Sequence, residues 1–107
     1  MANIDDFKKL DIRVGKIISV EDFLEAKKPM YKLKIDFGEF TKFSGAAIRP
    51  FYRKEELLNT KVIAIVNLEP RKIATFVSEC LTLGAEINGK FVLLRPDKDI
   101  EIGAKIF

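Results

Sequence analysis

Apolar and polar residues alternate strictly over residues 31–37. A period of two is the pattern of a β-strand that buries one face, so this segment is predicted to form a half-buried strand. Leu33 and Ile35 are predicted to face the core, and Lys32 and Lys34 to face solvent or a ligand. This strand is the clearest secondary-structure signal in the chain.

Other segments rich in β-branched and aromatic residues are also predicted to be strands. They cover residues 11–23, 40–48, 61–68, 79–87 and 90–95, and the tail 101–107 is a candidate for a last strand. Asn88-Gly89 is a dipeptide typical of a tight hairpin and separates the segments 79–87 and 90–95. Gly15 interrupts the first segment, which predicts a bend or a bulge there.

Two helical segments are predicted among these strands. Asn3 is expected to cap an N-terminal helical turn over residues 3–10, with Asp5 and Asp6 near the positive end of its dipole. Pro50 is expected to open a short helix that ends at Leu58, since proline suits the first helical turn.

Three strands, a helix and further strands predict an all-β fold, a β-barrel with one short helix. The five-stranded Greek-key OB-fold has this shape, and its sheet face commonly binds oligonucleotides. An SH3-like barrel is the competing architecture, but it does not ordinarily carry a helix of this length at this position.

The length of 107 residues (12.2 kDa) predicts one domain over residues 1–107. The longest apolar run, residues 62–66, is far shorter than the roughly 20 residues of a membrane helix, so no membrane insertion is expected. No signal peptide is visible at the N-terminus. A single cysteine forms no intrachain disulfide, and a cytoplasmic location is therefore expected.

The composition also limits the kinds of catalytic and metal-binding site that the chain can form. The chain has no histidine and one cysteine, which excludes histidine-based triads and zinc sites built from cysteine or histidine. Its glycines form none of the usual phosphate-binding loops. Catalysis by carboxylates alone is compatible with this composition, but the spacing of the acidic residues singles out no pair. We therefore expect no enzyme, no metal and no cofactor.

Basic residues are concentrated in the middle of the chain. Residues 27–72 contain eleven basic and five acidic side chains, a net charge of +6, which leaves −3 for the remainder of a chain with net charge +3. A basic segment between acidic ends favours a local anion-binding face. Solvated lysines on ordinary strand faces are the alternative interpretation.

Three motifs in order resemble a known family. Residues 11–17 (DIRVGKI) resemble the opening of the tRNA-binding domain, and residues 62–83 resemble its second signature, an Asn-x-x-Pro-Arg-Lys loop followed by Ser-Glu. Residues 23–38 and the Ser44-x-Ala46-x-Ile48 motif are similar to the CsaA branch, stand-alone proteins described as export-related chaperones. The resemblance covers residues 7–106 and implies an OB-fold, a homodimer and no enzymatic activity.

The resemblance also implies an RNA-binding set, whose members match family motifs at these positions: Lys32, Ser44, Asn67, Arg71, Lys72, Ser78 and Glu79. Structural alternatives stay open for several of them. Lys32 is also compatible with an ordinary exposed strand lysine, and Asn67 with a cap on the loop backbone. Ser78 and Glu79 are also compatible with a hydrogen-bonded junction between loop and strand.

Two functions follow from the resemblance. The first is a non-catalytic, homodimeric tRNA-binding protein, and the alternative is a chaperone that binds unfolded polypeptide in the same groove. A docking module that recruits a synthetase is a third interpretation. Phenylalanines bear on this choice, because an exposed ring could stack a base or hold a peptide. The pattern does not assign four of them to the core: Phe23, Phe40, Phe43 and Phe76.

Overall fold

A computed structural model describes all residues, 1–107, and contains two short helices and nine strands. The helices are α1 (Ile4–Lys8) and α2 (Lys54–Leu57). The strands are β1 (Ile12–Phe23), β2 (Met30–Asp36), β3 (Thr41–Ala46), β4 (Lys61–Ile65), β5 (Arg71–Ile73), β6 (Phe76–Ser78), β7 (Leu81–Thr82), β8 (Gly84–Ile87) and β9 (Lys90–Leu93). Neither helix is long and apolar enough to cross a membrane.

Five antiparallel strands form the main sheet in the order β3-β2-β1-β4-β7. The faces of β2 are as predicted: Leu33 and Ile35 are fully buried, while Lys32 and Lys34 lie on the outer face. The inner faces of the strands and Leu57 of α2 meet in one hydrophobic core. Burial of these apolar side chains is the main stabilising contribution to the fold.

The sheet curls until its two edge strands, β3 and β7, meet. The amide of Glu79 donates to the Phe43 carbonyl at 2.8 Å, and the Thr82 hydroxyl donates to the Ser44 hydroxyl at 2.9 Å. The result is a nearly closed, five-stranded antiparallel barrel with α2 between β3 and β4. The predicted all-β, OB-like barrel is confirmed.

The bulge predicted at Gly15 as one of two alternatives lies further along β1. The register of β1 against β2 shifts between Ile17 and Ser19, three residues further on. Gly15 is needed for a different reason, because a Cβ atom there would lie 2.7 Å from the ring of Phe37. The glycine therefore allows close packing across the barrel.

Several predicted boundaries also differ. Pro50 lies in a turn closed by the Phe51 amide and the Ile48 carbonyl, so α2 starts only after Arg53. The single strand predicted over residues 79–87 is divided into β7 and β8, and the tail makes one isolated bridge, between Lys105 and Arg13, instead of a strand. The hairpin at Asn88-Gly89 and the helical turn capped by Asn3 are confirmed.

Candidate functional site

Arg71 and Lys72, the basic residues of the Asn-x-x-Pro-Arg-Lys motif, lie in a hairpin of β5 and β6. Arg71 pairs with Ser78 across it, and Ala74 takes the left-handed conformation at its turn (φ 53°). Each strand has only three residues, too few to show a period in the sequence. The hairpin lies beside β3 and presents the exposed side chains of Arg71 and Lys72 to solvent.

A first groove, the strand-face groove, lies between the outer faces of β1–β3 and this hairpin. It measures about 560 Å³ and is lined by Ser19, Glu21, Lys32, Lys34, Phe43, Thr75, Phe76, Val77 and Glu79. Its two lysines are balanced by two glutamates. The charges lining the strand-face groove therefore sum to zero.

A second groove, the loop groove, lies between the β1–β2 loop and the other part of the hairpin. It measures about 470 Å³ and is lined by Glu25, Ala26, Lys27, Lys28, Met30, Arg71, Lys72, Ile73 and Ala74. Four basic residues and one acidic residue give it a net charge of +3. Concave cationic surfaces of this kind raise the local concentration of anions.

Lys32 lies where the two grooves adjoin. Its Nζ is 4.9 Å from the ring centroid of Phe23, 5.7 Å from that of Phe76 and 3.7 Å from a carboxylate oxygen of Glu25. Cation–π and ionic contacts thus connect β1, the β1–β2 loop and β6 through the ammonium group of one half-buried lysine. Lys32 lies on the outer face of β2, as the alternation predicts, and its charge is already engaged within the protein.

Phe43 projects from the outer face of β3 into the strand-face groove. Phe43 is 42% exposed, and its ring meets that of Phe76 edge-on at 6.0 Å between centroids and lies 5.9 Å from Lys34 Nζ. Phe23 is buried and Phe76 half-buried, so Phe43 is the most exposed aromatic side chain of this cluster.

Ser78 and Glu79 use polar atoms to complete the edge of β3. The Ser78 hydroxyl accepts from the Gly45 amide at 3.0 Å, and Glu79 Oε1 accepts from the Phe43 amide at 3.0 Å. These are the hydrogen bonds of a junction between loop and strand. Glu79 also lines the strand-face groove, whereas Ser78 lines neither groove and lies in a separate, smaller pocket of about 180 Å³.

Ser44 and Asn67 do not reach either groove. Ser44 is only 1% exposed, because β3 turns this position into the core, where its hydroxyl accepts from Thr82. Asn67 accepts from the Asp11 amide and donates to the Lys9 carbonyl, both at 2.8 Å. Asn67 therefore fixes the chain that enters β1, a structural role in this fold.

Two other features lie apart from the grooves. Burial raises the pKa of the Cys80 thiol to about 12, so little of the reactive thiolate forms near neutral pH. A larger cavity of about 660 Å³ runs along residues 100–104, but Arg13 is its only cation against Glu39 and Glu101. Arg13 is itself paired with Asp11, and that hydrogen bond holds the pKa of the Asp11 carboxyl below its usual value.

The structure thus brings Lys32 and Glu79 to one groove and Arg71 and Lys72 to the other. Sequence reasoning did not assign Lys27, Lys28 or Lys34 to the site, although the period of β2 already placed Lys34 on the same face as Lys32. The sequence pattern makes Phe43 one of four candidates for an exposed ring that stacks a base or holds a peptide, and the structure shows it exposed in the strand-face groove.

A family model and several curated relatives each match nearly the whole chain. A family model described as "Putative tRNA binding domain" matches residues 12–105. The chain is 43% identical over 105 residues to the methionine–tRNA ligase of Pyrococcus abyssi, and 41% identical over 101 residues to that of Nanoarchaeum equitans. These alignments cover 98% and 94% of the chain, which spans only 14% and 13% of those ligases.

Solved structures match over the whole chain. The crystal structure of the CsaA chaperone protein from Picrophilus torridus has a TM-score of 0.94 at 51% identity and covers 100% of both chains. The chaperone CsaA of Bacillus anthracis has a TM-score of 0.94 at 42% identity, covering 100% of this chain and 99% of that one.

Glu79 provides a test of the junction at β3. We expect Glu79→Ala to lower the free energy of unfolding by about 1 kcal/mol, because the Phe43 amide loses its acceptor. Glu79→Gln keeps an oxygen acceptor and should cost less than half as much. Urea denaturation measures both, with Glu86→Ala as the control, since Glu86 is exposed and its carboxylate accepts no hydrogen bond. Equal losses for Glu79→Gln and Glu79→Ala would contradict a role through this hydrogen bond.

Proposed function

Since this chain belongs to the tRNA-binding domain family, we propose that it binds tRNA through the loop groove and the strand-face groove, without catalysing a reaction. The observation that carries the proposal is the cationic loop groove beside an exposed aromatic ring. We place this activity in the cytoplasm, which suits a chain whose only cysteine is a free thiol.

The cations of the loop groove are available for a ligand. None of the four takes part in an ion pair within the protein: Lys27, Lys28, Arg71 and Lys72. Unpaired cations around a concave surface favour phosphate groups, and arginine can bind a phosphate with two parallel hydrogen bonds. Arg71 and Lys72 are therefore the proposed phosphate contacts.

The other predicted site residues have supporting roles in this proposal. Lys32 holds the walls of both grooves in place through its aromatic and ionic contacts. Ser78 and Glu79 fix the hairpin to β3, and only Oε1 of the Glu79 carboxylate is used for this. The second oxygen of Glu79 can accept from a ribose hydroxyl or a base amine. Ser44 and Asn67 stabilise the barrel and make no RNA contact.

We also propose that the protein is a homodimer. The β8–β9 hairpin exposes Ile87 (72%) and Val92 (60%), and the strand register puts both on one face. Exposed apolar patches of this kind mark interaction surfaces, and a two-fold dimer would cover both copies at once. Two copies of the grooves would then contact one RNA and raise the effective concentration.

Binding of unfolded polypeptide is the second candidate function. The CsaA proteins that the chain resembles are named as chaperones. The strand-face groove has apolar lining residues that could hold peptide side chains, among them Phe43, Phe76 and Val77. The two ligands differ in their response to salt, because RNA binding releases counterions and apolar contacts do not.

The first test measures tRNA affinity against salt. Fluorescence anisotropy of labelled tRNA should show binding at low salt that weakens steeply and linearly on a log–log plot as salt increases. An unfolded, uncharged peptide in excess should not displace the tRNA. Absence of tRNA binding at low salt, together with salt-independent peptide binding, would contradict the first function and support the second.

Arg71→Ala locates this binding on the protein. It should weaken tRNA binding by about 1–3 kcal/mol and reduce the salt slope by about one, while the far-UV circular dichroism stays unchanged. Lys98→Ala is the matched control, since Lys98 is exposed but lies outside both grooves. Equal effects of the two substitutions would mean that tRNA binds by net charge rather than at the loop groove.

Ile87→Glu tests the dimer. We expect sedimentation velocity to show a dimer for the unmodified chain and a monomer for Ile87→Glu, because a buried unpaired carboxylate is costly. Leu24→Glu is the control, as Leu24 is equally exposed but lies in the β1–β2 loop. A monomer at all concentrations of the unmodified chain, or a dimer in both variants, would contradict the proposed interface.

A further inference from the structure

We infer that the strand-face groove is a subsite for one unpaired nucleobase, which stacks on the ring of Phe43. This inference rests on the proposed function and adds to it the class of RNA that the protein selects. According to this inference, the loop groove supplies affinity for phosphates, and the strand-face groove supplies a preference for single-stranded nucleotides.

The ring of Phe43 is fixed before any ligand arrives. Its backbone is held on both sides by Glu79, whose amide donates to the Phe43 carbonyl and whose carboxylate accepts from the Phe43 amide. The edge-on contact with Phe76 limits rotation of the ring. A rigid, partly exposed aromatic surface costs little conformational entropy on binding, and base stacking on such a surface is favourable for every base.

The charges divide the two grooves by ligand chemistry. The loop groove carries a net charge of +3, whereas the charges of the strand-face groove cancel. A nucleobase is neutral and a phosphate is an anion, so the neutral groove with the aromatic ring suits the base. The adjoining cationic groove suits the phosphates of the same strand.

Stacking on Phe43 would favour unpaired bases. A base inside a duplex already stacks on both neighbours, and its faces cannot be reached without unpairing. Only a base in a loop, a bulge or a single-stranded end offers a free face to the ring. We therefore expect the groove to take nucleotides from unpaired regions of its RNA.

The absence of tryptophan from the chain makes a direct test simple. Phe43→Trp introduces a single tryptophan into the groove, and a base stacked on it quenches its fluorescence. Phe51→Trp is the matched control, because Phe51 is 40% exposed and lines neither groove. Short single-stranded oligoadenylate should quench Phe43→Trp and leave Phe51→Trp unchanged, and an RNA duplex of the same length should quench neither.

Affinity measurements complete the test. Phe43→Leu keeps an apolar side chain but loses the aromatic surface, so single-stranded RNA binding should weaken about 5- to 150-fold. Duplex binding should change less than twofold, and Phe51→Leu should change neither. Equal weakening for duplex and single strand, or no weakening at all, would overturn the inference.

The outcomes separate this inference from the proposed function. If the unmodified chain binds no RNA, the proposed function itself fails. If it binds tRNA but Phe43→Leu binds equally well, only the base subsite is wrong. If an unfolded peptide shifts the emission of Phe43→Trp while oligoadenylate does not quench it, the groove is a peptide site and the inference is overturned.

Discussion

The free edge of β3 is the constraint on which the rest of the structure depends. One edge of β3 pairs with β2, and the other exposes the amides of Phe43 and Gly45, which need acceptors. β7 is too short to supply a full ladder, so the side chains of Glu79 and Ser78 accept instead. The barrel closes through these hydrogen bonds and through the amide of Glu79, which donates to the Phe43 carbonyl.

This closure also forms the two grooves. Because Ser78 is the last residue of β6 and Glu79 follows it directly, their attachment to β3 holds the β5–β6 hairpin beside the sheet. One part of the hairpin becomes a wall of the neutral strand-face groove, and the other becomes a wall of the cationic loop groove. Lys32 supports both walls, since its ammonium contacts Glu25 and the rings of Phe23 and Phe76. The residues that complete the fold and those proposed to bind RNA are therefore neighbours, and Glu79 belongs to both groups.

The sequence predicted the parts of this arrangement that a local pattern determines. The period of β2, the Asn88-Gly89 hairpin and the cap at Asn3 depend on adjacent residues, and all three are confirmed. The inward position of Ser44 is not determined by adjacent residues. β3 turns this serine into the core and Phe43 outward, against the usual preference for apolar side chains inside and polar ones outside. That choice depends on Thr82, a partner 38 residues away that satisfies the buried hydroxyl. No local pattern in the sequence predicts the β5–β6 hairpin either, since its strands are short and its placement depends on β3.

The most direct test of the account is a map of amide chemical shifts in the ¹⁵N-labelled protein as a short tRNA-derived stem-loop is added. The account predicts that the largest changes occur in the β1–β2 loop, in β3 around Phe43 and in the β5–β6 hairpin. Largest changes at residues 100–104, which line the larger cavity, would contradict it.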